Sequence, residues 1–483
     1  MSSSLQPAAA AETADSRPAV SRPLAVALLL VWPAQLLTVV GSIGSNAMPQ
    51  IAEHMRTPHI AWFTVTFVLV SLMTVPFAMK LGSVFGKRRI MVILTAAGLV
   101  GDIVAAVAPN FTVMLIGRAM GGFYGPVVPL VMASVREIFP RAWVSTVYGI
   151  ITGSIGIAQV GSPLLAGWLI DDFGWRAALW SLVISTLVAG ACLLAMPETP
   201  RKGTVRNFDW AGGLLLGGGV ALLVFGIGKG GSWGWTAAGT MICLVAGVAA
   251  LVGFVLVELR VQQPVVHVRI LARRAVAAAV IVPSLVQGVF FVVPTVLTFL
   301  ALYPAIPHVS DGLGWSVTHT AVVGIAAGVV TVLAGVAVGR LLRRTGPRLL
   351  WFVSTGTLSV GLLLAGLYHG DEVEIILTGV VIGLGGGMLV STVGSMIVSV
   401  VSLEDQPAAS GISSLLYQAS GALTYQLLFL QLDDHSTVMR GVTFYADAGF
   451  RNAYFVLAGL VAVGFLLTLG MPRLQRPEQA LQS

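Results

Sequence analysis

The chain has 483 residues, of which 56% are hydrophobic and only 10% are charged, and its mean hydropathy is +0.91. A soluble protein of this length exposes far more charge, so the composition excludes a water-soluble globular protein and predicts a membrane protein. The net charge of +7 follows from the Lys and Arg distribution described below and requires no nucleic-acid partner.

Apolar runs long enough to cross a bilayer, which takes about 20 residues, recur along the whole chain. Residues 1–22 come first; they are rich in Ser, Ala and Pro and predict a disordered tail, not a cleaved signal peptide. With Pro, Gly and charge clusters as boundaries, the sequence then predicts fourteen helices, near residues 24–46, 60–79, 90–108, 111–133, 144–169, 177–196, 211–228, 236–257, 276–300, 319–338, 349–367, 375–398, 408–430 and 452–471.

Lys and Arg are unevenly divided between the segments that join these helices. Most of the 27 fall on the side that carries the N-terminus, and this side is cytoplasmic by the positive-inside rule. The distribution therefore predicts a multi-pass protein of a bacterial inner or plasma membrane with both termini in the cytoplasm.

Several classes of activity find no support in the sequence. Cys192 and Cys243 lie in apolar runs without neighbouring ligand-type residues, so no disulfide, metal site or redox motif is predicted. The chain has no G-x-x-x-x-G-K-[ST] loop, no inter-helix segment with room for a nucleotide-binding domain, and no recognisable hydrolase constellation. We therefore expect a protein that is not an enzyme and has no cofactor, so that an ion gradient must drive any active transport.

The third and fourth predicted helices carry one acid and one base in otherwise apolar sequence. Asp102 lies eight residues before Asn110, and Arg118 lies eight residues after it. In a hairpin that turns at residues 108–110, a rise of about 1.5 Å per residue places both side chains roughly 12 Å from the turn. An unpaired charge at such depth costs on the order of 2.5–3.5 kcal/mol or more. The spacing therefore predicts that the two groups neutralise each other.

Three roles for this charged pair remain open. The pair could be a static salt bridge between two helices. Asp102 could instead be a proton acceptor whose charge state Arg118 controls, because burial and a neighbouring guanidinium act in opposite directions on a carboxylate. In the third hypothesis, Arg118 attracts an anionic substrate and Asp102 only orients it.

Two short segments repeat at a constant offset of 260 residues, KLGSVFGKRR at 80–89 and RLLRRTGPRL at 340–349. The repeat pairs Lys80 with Arg340, Gly86 with Gly346 and Arg88 with Arg348. Both segments are predicted to be cytoplasmic, so the halves are parallel copies, as in rocking secondary transporters. The predicted fold is all-α: fourteen transmembrane helices, in two parallel six-helix bundles with an inserted helix pair. The predicted domains are a cytoplasmic tail (1–22), an N-terminal bundle (23–197), a linker with the inserted pair (198–274), a C-terminal bundle (275–472) and a second cytoplasmic tail (473–483).

A series of motifs in fixed order resembles the fourteen-helix drug:proton antiporter branch of the major facilitator superfamily. The resemblance extends over residues 24–471 and rests on KLGSVFGKRR at 80–89, LIGRAMGGFYG at 115–125, VGSPLLAGW at 160–168, FGWRAALW at 173–180, NFDWAGGLLL at 207–216, ELRVQQPVVHVRIL at 258–271 and DQPAASGISSLLYQASGAL at 405–423. It implies alternating access and links Arg118 to proton transfer. It also implies that the fifth helix packs against the second half and closes a leak path, with ordinary tight packing as the alternative; the motif residues there are Gly153, Gly156, Gly161, Pro163 and Gly167.

The chain departs from this family at two acidic positions. Members usually have an Asp where this chain has Ser83, and another where it has Val40 in the first helix. Asp102 is then the remaining candidate for the proton site. The basic cluster Lys87, Arg88 and Arg89 has no acidic partner within its own loop. It either anchors the loop to anionic lipid or belongs to a cytoplasmic gate in which the balance between conformational states is altered.

A substrate cavity is expected between the halves, near the midplane. Because few carboxylates are predicted to line it, lipophilic neutral, monocationic or anionic compounds fit better than multivalent cations. The predicted lining residues are Trp32, Gln35, Tyr124, Gln159, Phe291, Tyr417 and Gln418.

The sequence thus predicts a monomeric, proton-coupled exporter of lipophilic small molecules. Its partners are the substrate, protons and membrane lipids. One alternative is a gradient-independent facilitator or uptake carrier on the same fold. A second is a non-transporting receptor or scaffold, against which the absence of a sizeable soluble segment argues.

Overall fold

The fold was analysed in a computed structural model, which describes residues 23–199, 210–261, 268–401, 405–439 and 441–469. The predicted tails, 1–22 and 473–483, lie outside these residues, as does part of the predicted linker. The domain boundaries given above stay predictions.

The described residues form fifteen α-helices and two short β-hairpins. The helices are α1 (Pro23–Met55), α2 (Trp62–Phe85), α3 (Lys87–Ala106), α4 (Phe111–Gly121), α5 (Val127–Ile138), α6 (Arg141–Phe173), α7 (Trp175–Ala195), α8 (Trp210–Trp233), α9 (Ala238–Arg260), α10 (Arg274–Leu302), α11 (Val317–Thr345), α12 (Pro347–Leu367), α13 (Glu372–Val400), α14 (Gln406–Asp433) and α15 (Asp447–Leu467). The hairpins are antiparallel and pair β1 (Ala305–Ile306) with β2 (Ser310–Asp311), and β3 (Ser436–Met439) with β4 (Val442–Tyr445).

Thirteen stretches of the described chain are long and apolar enough to cross a membrane, and one of them, Phe111–Ile138, joins α4 to α5. The helix α14 is not among the thirteen, although it is 28 residues long. With α14, these stretches occupy the fourteen predicted helix positions and confirm an all-α, polytopic membrane protein. Helices suit this environment because each one satisfies its own backbone hydrogen bonds without water.

The predicted turn between the third and fourth helices is present, but the fourth helix is not continuous. Asn110 caps α4 by accepting a hydrogen bond from the backbone N–H of Val113 at 3.0 Å. Past α4, a 3₁₀ turn over Gly122–Tyr124 breaks the helix before α5 begins. Glycines let this turn press on α2: a Cβ at Gly125 would overlap the side chain of Ser71.

The repeated segments at 80–89 and 340–349 are helix ends, not loops. One glycine separates α2 from α3, and another separates α11 from α12: Gly86 has φ 95° and Gly346 has φ 80°, which favours glycine. The matched arginines also have matched partners in the last helix region of their own half. Arg88 donates to the carbonyl of Leu193 at 3.2 Å, and Arg348 donates to that of Leu469 at 3.0 Å. The two segments are structurally equivalent.

The inserted helix α8 packs across both halves. It contacts α2 of the first half, where Gly217 lies against Met73, and α14 of the second, where Gly228 lies against Gln426. The rings of Trp62 and Phe225 add a further contact between α2 and α8, with 5.6 Å between centroids. Helix α8 therefore covers the seam between α2 and α14.

The halves meet in the middle and at one end of the bundle. We call this the outer end, after the predicted topology; it comprises residues 56–61, 107–110, 174, 234–237, 303–316, 368–371, 434–439 and 441–446. There, Asp171 of α6 accepts hydrogen bonds from the first backbone amides of α11, those of Val317 at 3.0 Å and Thr318 at 2.8 Å. The helices α6 and α11 also touch midway, at Gly156 and Val332.

Toward the opposite, inner end, several glycines of the same two helices face open space. A Cβ at Gly149 or Gly153 on α6, or at Gly339 on α11, would meet nothing within 4 Å. No hydrogen bond between described residues joins the halves at that end. The described contacts between α6 and α11, at Gly156, Gly167 and Asp171, thus lie midway and toward the outer end.

Glycines bring α3 and α4 into backbone contact. A Cβ at Gly101 would lie 2.5 Å from the nitrogen of Gly121 and 2.6 Å from the carbonyl oxygen of Gly117. Backbone atoms cannot move aside as a flexible side chain can. Any side chain at position 101 must push the two helices apart.

We expect Gly101→Ala to destabilise the protein by about 1–3 kcal/mol, the usual cost of overpacking. Gly149→Ala is the matched control, because the same methyl group meets open space. The midpoint of thermal unfolding in detergent measures both variants. Equal midpoints for the two would contradict this account of the α3–α4 contact.

Candidate functional site

Asp102 is a buried carboxylate in the middle of the first half, with 3% of its surface exposed. Two hydroxyl groups donate to it: Tyr124 Oη to Oδ1 at 3.2 Å and Thr186 Oγ1 to Oδ2 at 2.7 Å. Thr186 lies on α7, which packs against α3. Both carboxylate oxygens thus have partners, as a buried polar group requires.

The break in the fourth helix gives Tyr124 its position. Tyr124 ends the 3₁₀ turn, and its ring lies so close to Gly98 of α3 that a Cβ there would overlap it. On its other side the ring meets Phe67 of α2, with 5.6 Å between centroids. The tyrosine is 1% exposed, so packing alone fixes the direction of its hydroxyl.

Arg118 is equally buried, with 2% exposed, but it faces α1 and α2. Its Nε donates to the carbonyl of Phe63 at 3.3 Å. The guanidinium carbon lies 4.4 Å from the ring centroid of Phe63 and 4.7 Å from that of Phe67, which are cation–π distances. Nη2 lies against Gly44 of α1, and Nη1 is buried without a hydrogen-bond partner among the described residues.

These positions correct the expectation that the two charges pair directly. Asp102 and Arg118 are on adjacent helices, but no ion pair within 4.0 Å joins them in the described part of the chain. The spacing from the turn sets depth through the rise per residue. The spacing does not determine the side of the helix on which each side chain lies, because eight residues are not a whole number of turns at 3.6 residues per turn. The carboxylate therefore faces α7, and the guanidinium faces α1 and α2.

The basic cluster at the start of α3 has partners that come from other helices. Lys87 Nζ forms an ion pair with Glu137 of α5, and Arg88 donates to carbonyls at the end of α7. Arg89 is exposed, and Ser83 donates to the carbonyl of Lys80 at 2.7 Å. Glu137 thus supplies the acidic partner that is missing from the segment itself. In the second half, Arg340 is exposed.

The residues of the predicted helix-5 motif lie on α6 and partly face α11. Gly156 contacts Val332, and a Cβ at Gly167 would lie 2.7 Å from Thr318 Cα, so the fifth helix does pack against the second half. Gly153 and Gly161 face open space, and Pro163 lies inside the helix. Closure of a leak path by this contact stays a prediction.

The predicted cavity residues fall into separate groups. In the first half, Trp32 donates to the carbonyl of Ser185 at 3.0 Å, and Gln35 donates to Ser154 Oγ at 2.8 Å, so both take part in packing inside that half. Tyr124 belongs to the Asp102 site, and Gln159 is exposed.

In the second half, the rings of Phe291 and Tyr417 lie 5.6 Å apart. Gln418 accepts from Ser71 of the first half at 3.5 Å. No hydrogen bond or ring contact between described residues joins Trp32, Gln35, Tyr124 or Gln159 to the second-half group. A single cavity lined by all seven residues stays a prediction.

Sequence reasoning missed Thr186, Phe63, Phe67 and Glu137. Thr186 is one of many hydroxyl residues in apolar helices, and no spacing rule marks it. The two phenylalanines lie four residues apart, so their spacing predicts that they share one face of α2. That spacing does not predict that this face contacts Arg118. Glu137 was detectable as an acid at the end of a helix.

Comparison with known proteins gives the family. The Major Facilitator Superfamily profile matches residues 31–425 and 288–483. The chain is 27% identical over 412 residues to a probable actinorhodin transporter of Streptomyces coelicolor, covering 81% of this chain and 69% of that protein. It is 28% identical over 472 residues to a puromycin resistance protein of Streptomyces alboniger, covering 91% and 88%.

A solved structure has the same fold. A crystal structure of an auto-inhibited peptide transporter of the POT family superposes with a TM-score of 0.66, at 15% sequence identity, and covers 94% of this chain and 98% of that one. With a profile match over most of its length and this architecture, the chain belongs to the Major Facilitator Superfamily and is a transporter, not an enzyme.

Proposed function

We propose that this transporter exports lipophilic small molecules in exchange for protons, and that Asp102 carries the proton. The main support is the geometry of Asp102: a carboxylate in the core of a membrane bundle, held by two hydroxyl donors and without a direct ion pair. Ionisable groups inside membrane segments are rare, and they commonly mark ion or proton pathways. The names of the two relatives, an antibiotic transporter and an antibiotic resistance protein, support export as the direction.

The proposed cycle uses the charge state of this one group. With the outer end open, Asp102 takes up an external proton and substrate leaves. Protonation removes a charge from the low-dielectric core, and Tyr124 and Thr186 then face a neutral acceptor. The halves rock, the proton leaves at the inner end, and new substrate enters between them. We further propose that both termini are in the cytoplasm of a bacterial cell and that one chain is the working unit.

The contacts of Arg118 favour an indirect role in this cycle. Its guanidinium is held by the Phe63 carbonyl and two aromatic rings, so its charge is stabilised without Asp102. It remains close enough to bias the carboxylate electrostatically, since charges interact over long distances in a low-dielectric interior. A static salt bridge is therefore the least supported of the three roles for the pair.

Asp102→Asn should abolish pH-driven export while leaving downhill exchange intact, because the variant keeps the shape of the side chain but cannot ionise. Efflux of a fluorescent lipophilic dye from energised vesicles at equal expression measures both fluxes. Asp172→Asn, an exposed acid on α6, is the matched control and should pump normally.

Two outcomes would contradict the proposal. Normal pumping by Asp102→Asn would assign coupling to another group. A wild-type flux that ignores the pH gradient would replace the exporter with a gradient-independent facilitator, the alternative suggested by Val40 and Ser83.

Thr186→Val should shift the pH dependence of export toward higher pH. The threonine hydroxyl stabilises the charged carboxylate more than the neutral acid, so its loss lets Asp102 hold its proton at higher pH. Thr95→Val is the matched control: Thr95 is a buried threonine on α3 whose hydroxyl has no hydrogen-bond partner in the part of the chain that the structure describes. Transport rates across a pH series measure both variants, and identical profiles would show that Thr186 does not act on the proton site.

A further inference from the structure

Tyr425 of α14 reaches from the second half into the first. Its hydroxyl lies 3.2 Å from Met48 Sδ on α1 and 3.3 Å from Thr64 Oγ1 on α2. Thr64 in turn contacts the Met48 sulfur at 3.4 Å. The tyrosine is 6% exposed, Met48 is fully buried and Thr64 is partly buried.

This cluster lies directly beside the surroundings of Arg118. Met48 is one turn beyond Gly44, toward the outer end of α1, and Thr64 follows Phe63 in α2. Gly44 and Phe63 both lie against the guanidinium. Tyr425 therefore lies between the buried polar groups of the first half and the outer end.

Aromatic rings of the second half continue from Tyr425 toward the outer end. Phe429 lies 5.1 Å from Tyr425, between ring centroids, and Phe299 lies 5.2 Å from Phe429. Phe299 then contacts Tyr445 in strand β4, at 6.0 Å. Tyr425 is the inner member of this stack and the one whose hydroxyl touches the first half.

We propose that Tyr425 is the outer seal of the proton site. While it contacts Met48 and Thr64, it closes the route from the outer end to Arg118, and from there to the Asp102 site through Phe67, whose ring contacts both Arg118 and Tyr124. When the halves separate at the outer end, α14 withdraws the tyrosine and the guanidinium of Arg118 gains access to water. The proton site thus opens to the outside only when the halves do. This inference rests on the proposed function.

The seal is tested by proton leak into proteoliposomes without substrate, after a pH jump, with an internal pH-sensitive dye. Tyr425→Ala should raise the leak about tenfold, as expected when about 1.4 kcal/mol of preference for the closed state is lost. Tyr425→Phe, which keeps the ring but loses both hydroxyl contacts, should leak at an intermediate rate. Tyr454→Ala, a buried tyrosine of α15 away from the seam, is the matched control.

Adding Asp102→Asn to Tyr425→Ala should return the leak to the wild-type level. A Tyr425→Ala leak no larger than that of Tyr454→Ala would overturn the seal. A leak that survives Asp102→Asn would show that the route does not reach Asp102, and would overturn it too. The proposed function is judged separately, by dye export of Asp102→Asn alone in the same vesicles.

A second measurement does not depend on the alanine variant being folded. In a chain with Cys192 and Cys243 replaced by serine, Gly44→Cys, one turn inward of Met48 and beside the guanidinium of Arg118, should resist a membrane-impermeant thiol reagent applied outside. It should react once Tyr425→Phe or Tyr425→Leu is added. Equal labelling with and without the Tyr425 change would overturn the proposal.

Discussion

Keeping a carboxylate inside a membrane bundle is the constraint that explains the local architecture of the first half. Asp102 needs hydrogen-bond donors, and lipid provides none. Gly101 and Gly117 bring α3 and α4 into backbone contact, and the 3₁₀ turn after α4 directs Tyr124 back to α3. The second donor, Thr186, comes from α7. A glycine-rich segment that looks like simple tight packing therefore also builds the site of a charged group.

The two buried charges are stabilised by different means and face different neighbours. The carboxylate is satisfied by hydroxyl groups of its own half. The guanidinium is held by a carbonyl and two aromatic faces, with Nη1 left without a hydrogen-bond partner among the described residues, and it lies next to the seam with the second half through Met48 and Thr64. Separate stabilisation lets one charge change without leaving the other unsatisfied, which a direct buried pair would not permit. In the proposed cycle, protonation of Asp102 leaves the contacts of Arg118 in place.

Sequence alone predicted the features that depend on length, hydropathy and local turns: the helix positions, the turn at residues 108–110 and the equivalence of the segments around Gly86 and Gly346. It could not predict which neighbouring helix the side chains of Asp102 and Arg118 each face. A depth argument placed Asp102 and Arg118 side by side, but rotation about the helix axes turns them apart. The partners of these groups come from distant positions in the sequence. Nothing near Thr186 indicates that it contacts Asp102, and nothing near Glu137 indicates that it contacts Lys87. The break between α4 and α5 has a local signal that the predicted continuous helix at 111–133 passed over: Pro126 has no backbone N–H to donate, and Gly122 and Gly125 precede it.

The repeat makes the asymmetry between the halves informative. At the same offset that pairs Gly86 with Gly346, Gly101 corresponds to Gly361 and Asp102 to Leu362. Leu362 is fully buried, so the position is enclosed in both halves, yet only the first carries a charge. The second half instead supplies groups that close on the first: the N-terminal amides of α11, held by Asp171, and the ring of Tyr425. Under the proposed mechanism, one half holds the proton and the other governs its access to the outside, so rocking and proton uptake are linked by geometry alone.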